Sequence, residues 1–162
     1  MSFVIRAYAP SDLSTLHAIR TAAFAPVFGS FRNIVGPDIA ALGLTNAEQE
    51  QADLLDAIAK PDSGHTIAVA EAGNAIAGFV SWKPSIAPGI GEITLNAVHP
   101  DHGGKGIGTA LYEHALAALK AAGMQLATVG TGGDRSHAPA RRAYEKAGFN
   151  VHIPSIYMYR KL

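Results

Sequence analysis

The stretch NAVHPDHGGKGIGTALYEH, residues 96–114, places four glycines and a lysine between an apolar run and a helical pattern. The preceding run GEITLNAV, residues 91–98, predicts a strand, and Ile107, Leu111 and Ala115 recur at helical spacing. A helix N-terminus has unpaired N–H groups and a positive dipole end, and glycines let an anion approach the backbone. The order strand, glycine loop, helix therefore predicts an anion site, with a tight turn that binds no ligand as the alternative.

Two well-known phosphate motifs do not match this loop. A Walker A loop has Ser or Thr directly after its lysine, whereas Lys105 is followed by Gly106. A dinucleotide fingerprint that began at Gly104 would need its third glycine at position 109, which is Thr109. The spacing excludes both motifs and leaves the bound group unidentified.

The remaining periodicity predicts ten elements in the order β-α-α-β-β-β-α-β-α-β. The predicted strands are 3–8, 65–72, 75–82, 91–98, 125–131 and one or two in the tail 149–162, and the predicted helices are about 10–23, 45–60, 106–122 and 137–147. Residues 24–44 are predicted to be irregular, because they are rich in Gly and Phe and contain two prolines. A hairpin before a strand–loop–helix unit predicts an α/β (α+β) mixed sheet with helices on both faces. We expect one domain over residues 1–162.

Composition narrows the class of protein. Thirteen Lys and Arg balance thirteen Asp and Glu, so no global field attracts nucleic acid or an anionic membrane. The absence of cysteine excludes a disulfide framework and a cysteine-based zinc site. No apolar run approaches membrane-spanning length. We expect a cytoplasmic protein without nucleic-acid or membrane partners, and a homodimer is left open.

A metal site is not expected. His99 and His102 are three residues apart, but they lie on a loop across Pro100 and lack a third ligand nearby in the sequence.

Two motifs resemble those of the GNAT superfamily of N-acetyltransferases. Residues 103–108, GGKGIG, are similar to the family's Gln/Arg-x-x-Gly-x-Gly/Ala loop, with Gly103 in place of Gln or Arg. Residues 137–149, HAPARRAYEKAGF, are similar to its N-x-x-A-x-x-x-Y-E-K-x-G-F helix, with His137 in place of Asn. The order of elements is similar over nearly the whole chain. The resemblance implies a twisted, mostly antiparallel central sheet and acetyl-CoA as co-substrate.

The resemblance also implies the residues that bind the cofactor. The loop would hold the pyrophosphate of CoA through Gly103, Gly104, Lys105, Gly106, Ile107, Gly108 and Thr109. In the family the preceding strand splays from its neighbour, so the backbone of Ala97 and Val98 would pair with the pantetheine amides. His137 would contact the pantetheine arm, and proton handling or helix capping are its alternatives. Lys105 is alternatively a solvated loop residue.

Two catalytic roles follow from the same resemblance. An alkylamine of pKa ~10.4 is protonated at neutral pH and must lose a proton before it attacks the thioester. Glu92 matches the place of the general base in some members, and Tyr144 matches the tyrosine that protonates the departing thiolate. A solvent-facing strand glutamate and a packing aromatic are the respective alternatives.

The expected acceptor is a primary amine of a small molecule or a peptide. In the family the acceptor is chosen by segments that correspond here to residues 24–44, 85–91 and 152–157. Two other functions are left open. One is a non-catalytic acyl-CoA-binding module, and the other is an unrelated nucleotide-binding protein.

Overall fold

The computed structural model describes residues 2–162, and its strands form one five-stranded sheet. In spatial order the strands are β1 (Val4–Ala7), β2 (Thr66–Ala72), β3 (Ala75–Ala87), β4 (Ile90–Val98) and β5 (Leu126–Val129). The first three pairings are antiparallel, and β4 pairs with β5 in parallel. The predicted mixed, mostly antiparallel sheet is confirmed.

Five α-helices accompany the sheet within residues 2–162. They are α1 (Leu13–Val35), α2 (Pro37–Gly43), α3 (Ala47–Ile58), α4 (Ile107–Ala121) and α5 (Ala138–Lys146). Short 3-10 helices precede α1, the glycine loop and α5, at Pro10–Asp12, Pro100–His102 and Arg135–His137 respectively. None of the described helices combines the length and the apolar character that a membrane crossing needs.

The helices lie on both faces of the sheet, as predicted. In β2, Ile67 and Val69 join the core beneath α1 and α3, whereas Ala68 and Ala70 join the core beneath α4 and α5. Because side chains alternate along a strand, a strand buried on both faces is apolar at every position. This explains the continuous apolar run of β2.

The prediction that residues 24–44 are irregular is wrong. Helix α1 continues through Pro26 to Val35, and α2 follows directly. Val27 and Phe28 are buried, so the second half of α1 gains packing energy that outweighs the one backbone hydrogen bond lost at the proline. Gly36 ends α1 with a φ of +79°, a conformation that favours glycine.

The predicted strands in the tail are also wrong, because no strand follows α5 in residues 147–162. The tail instead runs beside α2, where Lys161 pairs with Asp38 and the Tyr159 ring lies next to Gly43. A strand needs a neighbour to accept its backbone hydrogen bonds, and apolar side chains alone do not supply one. Pro154 further removes a donor from this segment.

Candidate active site

The sheet opens between β4 and β5. Their pairing ends where Ile93 meets Val129, yet β4 continues to Val98. Residues 94–98 are therefore bonded to β3 on one side and present a free backbone edge on the other. This is the divergence that the sequence resemblance implies.

A β-bulge in β4 coincides with the start of the free edge. Val80 pairs with Asn96 and Trp82 pairs with Ile93, so two steps on β3 match three on β4. The extra residue reverses the alternation of side chains along β4. As a consequence Ile93 and Asn96 both face α4 and α5, although they are three positions apart in the strand.

A buried serine holds the bulge in place. Ser81 on β3 is fully buried, and its hydroxyl donates to the Leu95 carbonyl at 2.6 Å. The Thr94 hydroxyl lies 2.7 Å from Ser81 Oγ and donates to it, since the serine proton is already used. Neither residue belongs to a motif, and sequence reasoning missed both.

Beyond the bulge, Asn96 joins two phenols. Asn96 Nδ2 donates to Tyr144 Oη at 2.9 Å, and Tyr112 Oη donates to Asn96 Oδ1 at 2.8 Å. The two tyrosine rings pack with their centroids 4.5 Å apart. The sequence predicted Tyr144 but missed Asn96 and Tyr112. A polar residue late in the apolar run of β4 was the available signal for Asn96.

Both phenols retain their protons at neutral pH. Burial raises the pKa of Tyr144 above its ordinary value and outweighs the hydrogen bonds from Asn96 and Tyr112, which act in the opposite direction. Burial also raises the pKa of Tyr112, and the neighbouring Tyr144 adds to the effect. The cluster therefore presents a neutral Tyr144 hydroxyl whose position is set by an amide.

The glycine loop has the open geometry that an anion site needs. Gly104 and Gly106 have φ values of +72° and +81°, and no atom lies within 4 Å of a Cβ built on either. No side chain caps α4, so the N–H groups of Ile107, Gly108 and Thr109 remain available at its first turn.

Gly103 has an ordinary φ of −61°, so its backbone conformation does not require glycine. The Lys105 ammonium group donates to the Asp101 carbonyl at 2.7 Å, which folds this side chain back onto the loop. Gly103 and Lys105 remain predicted contacts of the pyrophosphate, and the lysine would have to leave the carbonyl to reach it.

The free edge of β4 ends a short distance from this loop. A Cβ built on Gly78 of β3 would lie 2.8 Å from the Ala97 carbonyl, so that carbonyl faces β3. Because backbone groups alternate in direction, those of Asn96 and Val98 face the free edge. The edge thus favours Val98 over Ala97 as a backbone contact. A Cβ on Gly108 would touch Val98 at 3.8 Å, so the first turn of α4 lies against the end of this edge.

Glu92 lies on the opposite face of the sheet from Tyr144. Ile93 belongs to the core beneath α4, and a Cβ on Gly91 would overlap Leu119 of α4. Alternation therefore directs the Glu92 side chain toward α1. It is half-buried and makes no hydrogen bond or ion pair with any residue in 2–162. Glu92 stands two positions before the first unpaired residue of the free edge.

His137 is part of a cluster that joins α1 to the start of α5. Its Nδ1 lies 2.5 Å from Asp134 Oδ1, and its ring stacks on Phe31 with centroids 5.6 Å apart. Ser30 of α1 donates to Asp134 Oδ2 at 2.9 Å, and Ser136 donates to the same atom. Sequence reasoning named His137 but missed the partners, because α1 and this loop are far apart in the chain.

The same contacts keep Asp134 ionised. Burial alone would raise the pKa of this carboxyl, but hydrogen bonds from Ser136, His137 and Ser30 outweigh it and hold the pKa well below its usual range.

The two histidines of the glycine loop have no comparable arrangement. The rings of His99 and His102 meet edge to face with centroids 6.3 Å apart, and residues 2–162 contain no group of three metal-ligating side chains.

Comparison with known proteins agrees with this geometry. The profile described as "Acetyltransferase (GNAT) family" matches residues 37–149. Among solved structures, PaiA N-acetyltransferase from Thermoplasma acidophilum, in complex with coenzyme A, is 21% identical, with a TM-score of 0.72 and 96% and 94% of the two chains covered. The ribosomal-protein-S18-alanine N-acetyltransferase of Escherichia coli is 20% identical, with a TM-score of 0.65 and coverages of 94% and 80%.

A third similar structure is an aminoglycoside acetyltransferase from an uncultured soil metagenomic sample, in complex with sisomicin. It is 17% identical, with a TM-score of 0.62 and coverages of 99% and 96%. At these identities the structures establish the fold alone, and no curated protein sequence matches the chain significantly. The family profile spans more than half of the chain, and the chain therefore belongs to the GNAT family of acetyl-CoA-dependent N-acetyltransferases.

Proposed function

We propose that this protein transfers the acetyl group of acetyl-CoA directly to a primary amine of a small molecule or a peptide. One observation carries the proposal. The free edge of β4 ends against the uncapped first turn of α4, and Asn96 on that edge holds the Tyr144 hydroxyl. An elongated thioester with an anionic end fits such a path, because the edge offers backbone groups and the helix start offers N–H donors.

The cofactor fits the residues at both ends of this path. The pyrophosphate would lie on the amides of residues 104–109, where the space above Gly104 and Gly106 is open. The pantetheine amides would pair with the edge at Val98, with the Asn96 backbone as a second partner. PaiA N-acetyltransferase was solved with coenzyme A, which supports this class of ligand for the fold.

Tyr144 would supply the proton that the departing sulphur needs. Its phenol is neutral, buried and hydrogen-bonded, so its position is set before the substrate arrives. A thiol is more acidic than a phenol, so the transfer is favourable only if the phenol regains a proton from the nitrogen in the same process. The protein therefore holds a proton on Tyr144 Oη, which would pass to the sulphur while the phenol takes another proton from the nitrogen.

Glu92 would act from the other face of the sheet. Its carboxylate has no competing partner in residues 2–162 and is half-buried near the opening between β4 and β5. An amine that approaches from the α1 side would then meet Glu92 on that side and Tyr144 on the other. This separation supports the two different proton-transfer roles.

The α1–α2 side of the molecule would contact the acceptor. Residues 24–44 form the second half of α1 and all of α2, and residues 85–91 include the turn from β3 to β4. The similar structures act on ribosomal protein S18 alanine in one case and carry sisomicin in another. Both acceptors present amines, which supports an amine here without choosing between a peptide and a small molecule.

A panel of amines tests the proposal. Purified protein is incubated with acetyl-CoA and peptides, polyamines, amino acids or aminoglycosides, and acetylated product is measured by mass spectrometry together with thiol release. We expect at least one amine to be acetylated. Calorimetric binding of CoA without transfer to any amine would favour the non-catalytic acyl-CoA-binding module, and tighter binding of ATP than of CoA would favour a nucleotide-binding protein.

Glu92 has its own test. Glu92→Gln is expected to lower the rate most at low pH and least at high pH, because more of the amine is neutral there without a base. Glu113→Gln, at an exposed glutamate of α4, is the matched control and should keep the wild-type rate. A pH-independent deficit in Glu92→Gln would return this residue to a structural role.

A further inference from the structure

The Asp134–His137 pair is a second cluster of titratable side chains, outside the Asn96–Tyr144 group. We propose that His137, oriented by Asp134, is the catalytic base in place of Glu92 and accepts the proton of the acceptor's ammonium group on the α1 side of the site. This inference rests on the proposed amine acetylation. It assigns His137 a role that differs from contact with the pantetheine arm.

Hydrogen bonding fixes which nitrogen of His137 is free. Asp134 is ionised and only accepts hydrogen bonds, so the proton of the neutral ring is on Nδ1 and points at Asp134 Oδ1. The Nε2 atom then carries the lone pair. Within residues 2–162 this atom has no hydrogen-bond partner, and it is not among the buried polar atoms that lack one. His137 Nε2 is therefore open to solvent or substrate.

The surrounding backbone is built around this pair. A Cβ on Gly132 would overlap His137 Nδ1 and lie 2.8 Å from Asp134 Oδ1, so only glycine fits at that position. Arg141 of α5 donates to the carbonyls of Gly132 and Asp134 at 2.5 and 2.7 Å, which fixes the loop. On the other side, the Phe31 ring supports the imidazole. The arrangement limits the orientations open to His137.

Few charged groups contact the imidazole. Asp134 is the acidic partner, and the Arg141 guanidinium is engaged with backbone carbonyls of the same loop. From α1 the Phe31 ring packs on the imidazole and Ser30 donates to Asp134, and neither of these side chains titrates in the range of imidazole. Among the described residues, the group expected to influence protonation of this ring most directly is therefore Asp134.

The position of His137 suits the reaction. His137 is the N-cap residue of α5 and precedes Tyr144 by seven residues, which at the helical rise places the two roughly 10 Å apart along the axis. Tyr144 faces the free edge of β4, and the His137 cluster lies where α1 meets the start of α5. An acceptor seated against α1 would present its ammonium group to His137 Nε2 directly or through a water molecule.

An imidazole is also a better base for the ammonium proton than a carboxylate, because its pKa lies closer to that of the amine. An ordinary histidine titrates about two pH units closer to an alkylamine than an ordinary glutamate does, and general bases work best when they titrate near the working pH. His137 is moreover held by Asp134 and Phe31, whereas Glu92 has no partner in residues 2–162.

The proton balance of the step is complete. The ammonium nitrogen gives one proton to His137 Nε2, and the neutral amine attacks the thioester carbonyl carbon, so a C–N bond forms and the C–S bond breaks. The electron pair leaves with sulphur, which takes the Tyr144 proton while the phenol regains one from the nitrogen. His137 then releases its proton to solvent. An ammonium ion and a thioester thus become an amide, a thiol and one released proton.

Two substitutions at one position test the assignment. With an amine that the panel identifies, His137→Asn is expected to lower kcat about 10²-fold, the low end for a lost general base. The wild-type kcat/KM should fall as pH decreases through the imidazole range, and this limb should be absent in the variant. CoA affinity, measured by calorimetry, should stay within about twofold of the wild type. His137→Ala should regain rate when imidazole is added to the solution.

Asp134→Asn and a control complete the set. Asp134→Asn should reduce kcat less than His137→Asn, because the imidazole remains but loses its orienting anion. His17→Asn removes another histidine–aspartate contact, with Asp56 at 2.8 Å, and should keep the wild-type rate and pH profile. If His137→Asn does not fold, His137→Gln and the imidazole addition to His137→Ala give the same comparison.

The outcomes separate this inference from the proposed function. A wild-type protein that acetylates no amine would overturn both. Amine acetylation with an unchanged rate and pH profile in His137→Asn would overturn only the role of His137. A loss of CoA affinity in that variant, with the acidic limb retained, would make the residue a cofactor contact and would also overturn the inference.

Discussion

The two phenols on Asn96 allow packing to be separated from catalysis. Tyr144→Phe and Tyr112→Phe each remove one oxygen from the same cluster and keep the rings, whose centroids are 4.5 Å apart. Each variant loses its hydroxyl contact with the Asn96 amide, at 2.9 Å from Tyr144 and 2.8 Å from Tyr112. A net hydrogen bond contributes about 1 kcal/mol, so both variants should lose a similar amount of stability. For a chain of this size that corresponds to a fall of about 2–4 °C in Tm.

The rates of the two variants should differ. If Tyr144 protonates the departing sulphur, Tyr144→Phe should lower kcat about 10²-fold, which is about 2.7 kcal/mol of transition-state stabilisation. The KM for acetyl-CoA should change little, because the phenol acts after binding. Tyr112 contacts Asn96 and Tyr144 and has no proposed contact with the reacting atoms, so Tyr112→Phe should keep kcat within about threefold.

Steady-state thiol release with saturating acetyl-CoA and an acetylated amine provides the assay, alongside thermal melts of all three proteins. A pre-steady-state burst would show that product release limits turnover, and single-turnover rates would then replace kcat. Equal rates for the wild type and Tyr144→Phe would refute the acid role. Equal rate losses in both variants would assign the effect to the integrity of the cluster.

The pKa of Asp12 is lowered, chiefly by its hydrogen bond from Arg6, so its contribution to the free energy of unfolding is complete above its unfolded value near 3.9 and is lost as pH falls below it. We therefore expect the stability difference between the wild type and Asp12→Asn, from urea unfolding, to be present at pH 7 and to shrink below about pH 4. A difference as large at pH 2 as at pH 7 would contradict this. Gly108→Ala should raise helix stability by up to about 1 kcal/mol but weaken CoA binding in calorimetry, whereas Gly29→Ala should raise stability and leave CoA affinity unchanged. Unchanged CoA affinity in Gly108→Ala would mean that the cofactor does not bind against Gly108. Ser81→Ala leaves the bulge carbonyl without its buried donor and should cost about 1–3 kcal/mol in urea unfolding, and a smaller loss would mean that another donor replaces the hydroxyl.

Much of the architecture follows from local patterns in the sequence. The apolar run of β4, the stop at Pro100 and the helical spacing from Ile107 predicted the central strand–loop–helix unit with nearly correct boundaries. Gly73 and Asn74 predicted the hairpin turn between β2 and β3. These features are local because a turn, a strand end or a helix start depends on a few adjacent residues.

Local patterns failed where burial decided the conformation. Pro26 and Gly29 are typical of irregular segments, yet the contacts of Val27 and Phe28 keep α1 helical beyond them. The tail has the apolar composition of a strand but lacks a strand partner in residues 2–162. Propensity is a weak preference that packing can override, and it does not say which backbone will be available for pairing.

By itself the sequence determined the order of the elements from β2 to α5, the glycine loop and the family motif that contains Tyr144. Only the tertiary structure decided that a bulge turns Asn96 toward Tyr144, and that Ser30 reaches Asp134. These contacts join residues 48 and 104 positions apart. Such pairs form because the sheet and the helices packed on it bring distant segments together, and no periodicity within one segment records which distant segment it will meet.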